Sequence, residues 1–178
     1  NIHPDAIFCE GDLLDTTFLA SVFNEHDIRY VFHFAAYAAE GLSHFIKRHN
    51  YSSNLLASVN LLNEAIKNKV KCFVFSSSAA VYGECNSKCS EEVSGNPMDP
   101  YGIAKLAFEM ELQASNKIFG INYLIFRLHN VYGERQNLQD PYRNVVAIFM
   151  RQALEGNQMT IYGDGTQKRA FTYVGDIV

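Results

Sequence analysis

The chain has 178 residues, of which 15 are basic and 19 acidic, for a formal net charge of −4 at pH 7. A mildly acidic chain without a basic block argues against nucleic acid or an anionic membrane as its main partner. The longest apolar runs are too short to cross a bilayer, and the first residues do not resemble a signal peptide. With four scattered cysteines, we expect a reduced, cytoplasmic protein that holds no metal.

Apolar runs and helix-forming segments alternate along the chain. Asp15 or Thr16 can cap the first helix, Pro100 favours entry into a long one, and Gly120 and Gly156 favour helix ends. The pattern predicts strands at residues 7–9, 28–34, 72–75, 121–128 and 159–162, and helices at 15–25, 43–69, 101–119 and 145–154. Strands that alternate with helices predict a parallel α/β sheet with helices on both faces.

The clearest chemical signal lies between Ser76 and Lys105. Tyr101 precedes Lys105 by four residues, which places both side chains on one helix face. Ser78 follows the strand predicted at 72–75, and a serine delivered by the end of that strand would complete a site that handles protons. Such a site suits the oxidation of an alcohol by a nicotinamide cofactor.

The electrostatics of the tyrosine–lysine pair support this interpretation. A tyrosine ionises near pH ~10, so action near neutral pH requires about 4 kcal/mol in favour of phenolate. A lysine charge at ~5 Å supplies roughly 3 kcal/mol at an effective dielectric of ~20. The alternative is an ordinary stripe of Tyr101, Lys105, Phe108 and Leu112, with the lysine ammonium extending past the core to solvent.

Two segments, SSSAAVYG at 76–83 and DPYGIAK at 99–105, resemble the active-site signature of extended short-chain dehydrogenases/reductases, the NAD-dependent epimerase/dehydratase family. Four further segments agree with the family in order: GDLLD at 11–15, HFAAYAA at 33–39, RLHNVYG at 127–133 and YGDGTQKRAFTYVGD at 162–176. The resemblance implies a Rossmann-type, doubly wound parallel sheet that binds NAD.

The glycine-rich phosphate-binding turn of such a fold does not occur in the sequence. By resemblance, the chain lacks the N-terminal glycine-rich βαβ unit and the C-terminal substrate region, and we expect a fragment of a longer enzyme. Residues 1–133 would form part of the NAD-binding domain, and residues 134–178 the start of the substrate-binding region. The strand at 28–34 would then keep an unpaired hydrophobic edge.

The resemblance also implies roles for individual residues. Ser78, Tyr101 and Lys105 would be catalytic. Tyr101 and Lys105 would also bind the cofactor, Lys105 through the ribose. The other cofactor-binding residues would be Asp12, Leu13, Phe34, Ala35, Ala36, Ala38, Asn54, Ser76 and His129, with an exposed helix asparagine as the plain alternative for Asn54. The substrate would contact Ser78, Asn130, Asn144, Thr160, Tyr162 and Arg169. His33, His44 and His49 form no convincing metal set and are interpreted as structural.

At some positions the sequence departs from the family pattern, and these departures reduce the number of reactions that we expect. Dehydratases of the family carry an acidic pair where this chain has Ala79 and Ala80, so elimination would lack its proton donor. What remains is 4-epimerisation of a nucleotide sugar, most simply a UDP-hexose. Ala38 in place of a lysine and Ala170 in place of an aspartate depart from strict UDP-galactose 4-epimerases.

Two other functions stay open. One is a dehydrogenase or reductase acting on a sugar nucleotide or another alcohol, and the other is an inactive, truncated nucleotide-binding relic. Homodimers are common among relatives, and the predicted helices at 43–69 and 101–119 would form the contact.

Overall fold

The computed structural model describes residues 3–84, 89–140 and 144–178. A π-helical turn, Ser52–Leu56, joins the helices Lys47–Tyr51 and Ala57–Lys67, and short 3-10 turns cover Ala79–Tyr82 and Val174–Asp176. The helices are α1 Thr16–Glu25, α2 Glu40–Ser43, α3 Lys47–Tyr51, α4 Ala57–Lys67, α5 Pro100–Phe119 and α6 Val145–Leu154. The strands are β1 Tyr30–His33, β2 Cys72–Ser78, β3 Asn122–Leu128, β4 Asn130–Tyr132 and β5 Phe171–Tyr173.

The main sheet has three parallel strands in the order β1-β2-β3. Tyr30 pairs with Cys72, and Ser78 pairs with Leu128 at the far end of β2. Helices α2 to α4 lie between β1 and β2 in the chain, and α5 lies between β2 and β3. Strands β4 and β5 form a separate parallel pair. The expected α/β class with parallel strands is confirmed, and the carboxyl ends of the three strands meet at one edge, where such sheets bind ligands.

One face of the main sheet packs against α1, α4 and α5 to form the core. That face carries Phe73 and Phe75, both fully buried, and Phe108 of α5 packs on Phe75 with ring centroids 4.7 Å apart. On the opposite face, Phe32 and Leu124 stay 63% and 54% exposed. In the described part of the chain, β1 is an edge strand with β2 as its one neighbour, as the sequence predicts.

Local signals define helix α5 well. The Asp99 side chain accepts a hydrogen bond from the Gly102 amide at 2.9 Å, and Pro100 occupies the first turn. Gly120 ends the helix in the left-handed conformation, with φ of 71°. A Cβ on Gly102 would lie 2.7 Å from the Ala80 carbonyl oxygen. Glycine therefore lets the start of α5 approach the turn that follows β2.

The helix predicted at 43–69 is interrupted. Ile46 has φ of −122° and ψ of 38°, outside the helical region, so α3 begins at Lys47. The chain then passes through the π-helical turn before α4 starts at Ala57. A π-helical turn inserts an extra residue into the ladder, which hydrophobic periodicity alone does not predict.

The strands predicted at 7–9 and 159–162 are wrong, because the structure assigns no strand there. Ile7 is 77% exposed and Tyr162 is 87% exposed. A short apolar run becomes a strand only where another strand is within hydrogen-bonding reach. The three-residue strands β4 and β5 were not predicted, since each is too short for periodicity and each depends on a partner about 40 residues away.

Candidate active site

The end of β2 and the start of α5 line one cavity of about 720 Å³. Ser76, Ser77 and Ser78 come from the strand, and Tyr101 comes from the first turn of the helix. Tyr101 is 7% exposed and Ser78 is 9% exposed. The structure therefore brings together two of the three predicted catalytic side chains, which lie 23 positions apart in the sequence.

Lys105 lies behind the wall of this cavity, at 2% exposure. Its Nζ donates a hydrogen bond to the Ser76 carbonyl at 2.7 Å and lies 5.7 Å from the centroid of the Tyr101 ring. The ammonium therefore points into the protein, and the alternative of a lysine extending to solvent is wrong. Burial lowers the pKa of Lys105 to about 8, which leaves the group mostly charged at pH 7.

The Ser78 hydroxyl is held in place by the turn that follows it. Its Oγ accepts a hydrogen bond from the Ala80 amide at 3.1 Å and caps the 3-10 turn Ala79–Tyr82. Because the amide uses a lone pair of the oxygen, the hydroxyl proton is left to orient toward another acceptor. Ser78 lines the cavity with its donor available for a ligand.

Asn54 holds the loop that follows β1. Its Oδ1 accepts from the Tyr37 amide at 2.7 Å, and its Nδ2 donates to the Tyr37 carbonyl at 3.1 Å. Asn54 is 1% exposed, so the alternative of an exposed helix asparagine is wrong. Sequence reasoning missed Asn50, which accepts from Asn54 and donates to the Pro100 carbonyl, both at 2.8 Å. The spacing of two asparagines one helical turn apart is the signal that could have found it.

The remaining predicted cofactor residues divide into two groups. Ala38, Ser76 and His129 line the cavity. Asp12 and Leu13 precede α1, where the Asp12 carboxylate accepts from the Leu14 amide at 2.9 Å and the Leu13 carbonyl accepts from Asn60 at 3.1 Å. The segment Phe34 to Ala36 follows β1 and, like Asp12 and Leu13, is not among the lining residues of the cavity.

A second cavity of about 1060 Å³ adjoins the first and shares Ser78, His129 and Asn130 with it. Arg169 lines this second cavity. Asn144 lines the first, where it caps α6 and donates to the Val131 carbonyl at 2.7 Å.

Two predicted substrate residues lie apart from both cavities. Thr160 exchanges hydrogen bonds with Gln152 at 3.2 Å, through its amide and its hydroxyl. Tyr162 extends into solvent. The structure thus groups Asn130, Asn144 and Arg169 near Ser78 and leaves Thr160 and Tyr162 outside.

Glu40 lines both cavities, and sequence reasoning missed it. Desolvation raises the pKa of its carboxyl, the charge of Asp99 raises it further, and Arg169 opposes both effects. The residue is a single acid in a run of small residues after β1, so its position next to Ser78 and Asn130 had no distinct local signal. It places a carboxyl group in the lining that the two cavities share.

His33 is buried beneath the site at 2% exposure, as the structural interpretation requires. Its Nε2 lies 2.7 Å from the Ser58 hydroxyl, and its ring stacks on Phe75 with centroids 5.8 Å apart. Burial, and secondarily the charge of Lys105, lower the pKa of His33 to about 4. The imidazole is therefore neutral near pH 7.

The chain matches a known protein family over its whole length. The model of the NAD-dependent epimerase/dehydratase family matches residues 1–178. An uncharacterized UDP-glucose epimerase of Bacillus subtilis, YtcB, is 36% identical over 181 residues, which cover 100% of this chain and 55% of that relative. The chain thus spans about half the length of that curated relative.

Two solved epimerase structures are similar to this chain in sequence and in fold. The UDP-glucose 4-epimerase of Thermotoga maritima with UDP-glucose is 37% identical with a TM-score of 0.93, covering 99% of this chain and 58% of that one. The UDP-glucose 4-epimerase of Thermus thermophilus in complex with NAD is 32% identical with a TM-score of 0.92, covering 99% of this chain and 59% of that one.

Proposed function

Because the chain belongs to the NAD-dependent epimerase/dehydratase family, we propose that the native protein containing it is a nucleotide-sugar epimerase that works by transient oxidation at C4. A UDP-hexose is the proposed substrate. The observation that carries the proposal is the convergence of Ser78 and Tyr101 on one cavity, with the Lys105 ammonium 5.7 Å from the Tyr101 ring. The names of the relatives, which are epimerases of UDP-glucose, support the substrate class.

NAD is the cofactor of the family, and when bound it accepts and returns a hydride. The residues of the site are suited to bind NAD. The Lys105 ammonium has three N–H donors, and the Ser76 carbonyl accepts from one of them. A ribose hydroxyl that reaches the buried ammonium can accept from another. The small side chains of Ala35, Ala36 and Ala38 let a ligand approach the backbone at the carboxyl end of β1. Asp12, Leu13, Phe34, Asn54, Ser76 and His129 complete the proposed set.

Tyr101 is the proposed acid and base. Its phenolate takes the proton of the C4 hydroxyl and returns a proton when the 4-keto sugar is reduced on its other face. A positive charge at about 5 Å favours phenolate by roughly 3 kcal/mol at an effective dielectric of ~20. Ser78 donates to the sugar oxygen and relays the proton, while its oxygen stays fixed by the Ala80 amide.

The substrate-binding residues are proposed from position and chemistry. Arg169 lines the second cavity, and its forked guanidinium suits a diphosphate. Asn130 and Asn144 line the first cavity and can bind the sugar. Thr160 and Tyr162 are proposed for the nucleotide base, which requires residues 159–162 to turn toward the cavity when the substrate binds. Residues 1–133 are proposed as part of the NAD-binding domain and residues 134–178 as the start of the substrate-binding region.

The test is the interconversion of UDP-glucose and UDP-galactose by the native protein. We expect Tyr101→Phe to lower turnover at least about 1000-fold, since the phenol is the group proposed to take the C4 proton and to return it, while NAD binding measured by calorimetry is unchanged. Tyr30→Phe is the matched control, because Tyr30 is 55% exposed on the edge strand. Undiminished turnover in Tyr101→Phe would remove that residue from the mechanism.

The same assay distinguishes an epimerase from the second candidate function, a net dehydrogenase. An epimerase keeps its cofactor through the cycle, whereas a dehydrogenase consumes added NAD and accumulates NADH. The absence of a carboxylic acid at Ala79 and Ala80 favours epimerisation over dehydration.

We further propose a cytoplasmic homodimer whose contact uses α4 and α5. On α5, Met110 is 62% exposed and Ile103 is 41% exposed, which leaves apolar surface for a second copy. No helix in the described ranges combines the length and apolar character that a membrane span needs.

We also expect the 178 residues alone to bind no NAD, and micromolar binding of NAD in calorimetry would contradict this.

A further inference from the structure

Glu109 continues the helix stripe that carries Tyr101 and Lys105, one turn further along α5. It is 1% exposed. Its Oε1 accepts a hydrogen bond from the Ser77 hydroxyl on β2 and another from Arg127 Nε on β3, the latter at 3.1 Å. Its Oε2 accepts from Arg127 Nη2 at 2.7 Å. One carboxylate therefore joins the helix to both neighbouring strands.

Arg127 extends the connection to the segment before α5. Its Nη1 donates to the carbonyls of Glu91 and Val93 at 3.3 and 3.4 Å. Its Cζ lies 4.8 Å from the centroid of the Tyr82 ring, and Tyr82 lines the second cavity. The hydrogen bond with Glu109 raises the pKa of Arg127, so the guanidinium is charged.

Such a buried ion pair contributes geometry more than net stability. Apolar residues of similar volume often replace one without loss, because desolvation of two charges offsets their attraction. What the pair adds is direction, since the planar guanidinium meets both carboxylate oxygens in one orientation. The pair is thus suited to fix where the helix lies on the sheet.

We propose that Glu109, Ser77 and Arg127 are positioning residues that set the place of α5 along β2, and with it the approach of Tyr101 to Ser78. Two successive turns of α5 are tied to adjacent residues of β2: Lys105 to the Ser76 carbonyl and Glu109 to the Ser77 hydroxyl. One residue along a helix axis is 1.5 Å, and misplacement of about 1 Å can cost on the order of 100-fold in rate. The effect on turnover rests on the proposed function, whereas the placement of Lys105 does not.

The test uses the double variant Glu109→Met/Arg127→Met, which removes both charges and leaves neither one buried alone. The first readout is the pKa of Lys105, measured by NMR on labelled lysine in the protein without substrate. The second is kcat and KM for UDP-glucose with the native protein. Glu111→Gln is the matched control, because Glu111 is an exposed acid on the same helix.

We expect the pKa of Lys105 to rise in the double variant from about 8 toward 10.5, since a displaced helix admits water to the ammonium. We expect kcat to fall on the order of 100-fold with KM little changed, and Glu111→Gln to behave as the parent protein. An unchanged Lys105 pKa in a folded double variant overturns the proposal, whatever its turnover. If the double variant does not fold, Ser77→Ala decides in the same way, by a raised or an unchanged pKa.

A parent protein without epimerase activity would refute the proposed function alone, because the NMR readout still decides the positioning role.

Discussion

The buried imidazole of His33 makes the stability of the protein depend on pH in a direction that can be calculated. The ring is 2% exposed, packs among aromatic rings of the core and has its Nε2 2.7 Å from the Ser58 hydroxyl. Burial and the charge of Lys105 lower its pKa from 6.5 to about 4. The folded state therefore resists a proton that the unfolded chain accepts.

The sign and size follow from this difference. Above pH 6.5 both states hold a neutral His33 and the full stability is present. As the pH falls from 6.5 to about 4 the unfolded state gains a proton first, so stability is lost through that range. The loss attributable to His33 is about 2 kcal/mol at pH 5 and about 3 kcal/mol below pH 4.

The measurement is urea unfolding at pH 7.5 and pH 5 for the parent protein and for His33→Gln. Glutamine keeps a polar partner for Ser58 but does not titrate. Carboxylates titrate in both proteins, so the difference between the two pH dependences isolates His33. We expect the parent to lose about 2 kcal/mol more than the variant. Equal losses would refute the assignment of a buried, neutral imidazole.

Three further outcomes follow from the structure. The lowered pKa of Lys105 predicts that, in urea unfolding between pH 7 and pH 10, the parent gains about 2 kcal/mol more stability than Lys105→Met. An equal pH dependence in the two proteins would contradict the burial of the Lys105 ammonium. Phe108→Ala should lower the free energy of unfolding by about 3–5 kcal/mol because Phe108 is fully buried. Phe119→Ala, at 62% exposure on the same helix, should lower it by less than about 1 kcal/mol. Similar losses in the two variants would contradict the packing of Phe108 in the core. Glu40→Gln should raise the ratio of UDP-glucuronate to UDP-glucose turnover about tenfold, because it removes about 1.4 kcal/mol of repulsion between the Glu40 carboxylate and the carboxylate of the sugar. An unchanged ratio would place Glu40 away from the sugar.

Sequence reasoning was most accurate where the determinants are local. Helix α5 was predicted within one residue at its start because Asp99 and Pro100 favour entry there, and Gly120 favours its end. Helix α6 matches its predicted bounds for the same reason. By contrast, the strands predicted at 7–9 and 159–162 are wrong because a strand is defined by a partner as well as by its own residues.

In the candidate site, too, the local features were predictable from the sequence and the long-range contacts were not. The pairing of Tyr101 with Lys105 was predictable because a spacing of four residues places them on one helix face whatever surrounds the helix. The side on which the Lys105 ammonium is buried was not predictable, and neither was the hydrogen bond of Asn50 to a carbonyl 50 residues away. Glu40 was missed because a lone acid after a strand has no distinctive pattern.

The amino-acid order alone determined that Tyr101 and Lys105 lie on one face of a helix and that serines follow the strand before it, since both follow from backbone periodicity. Only the tertiary structure decided that Lys105 meets the Ser76 carbonyl and that Glu109 meets Ser77 and Arg127. Those contacts join residues 18 to 32 positions apart. They form only once α5 packs against β2 and β3, and that packing joins segments far apart in the sequence, which no local pattern encodes.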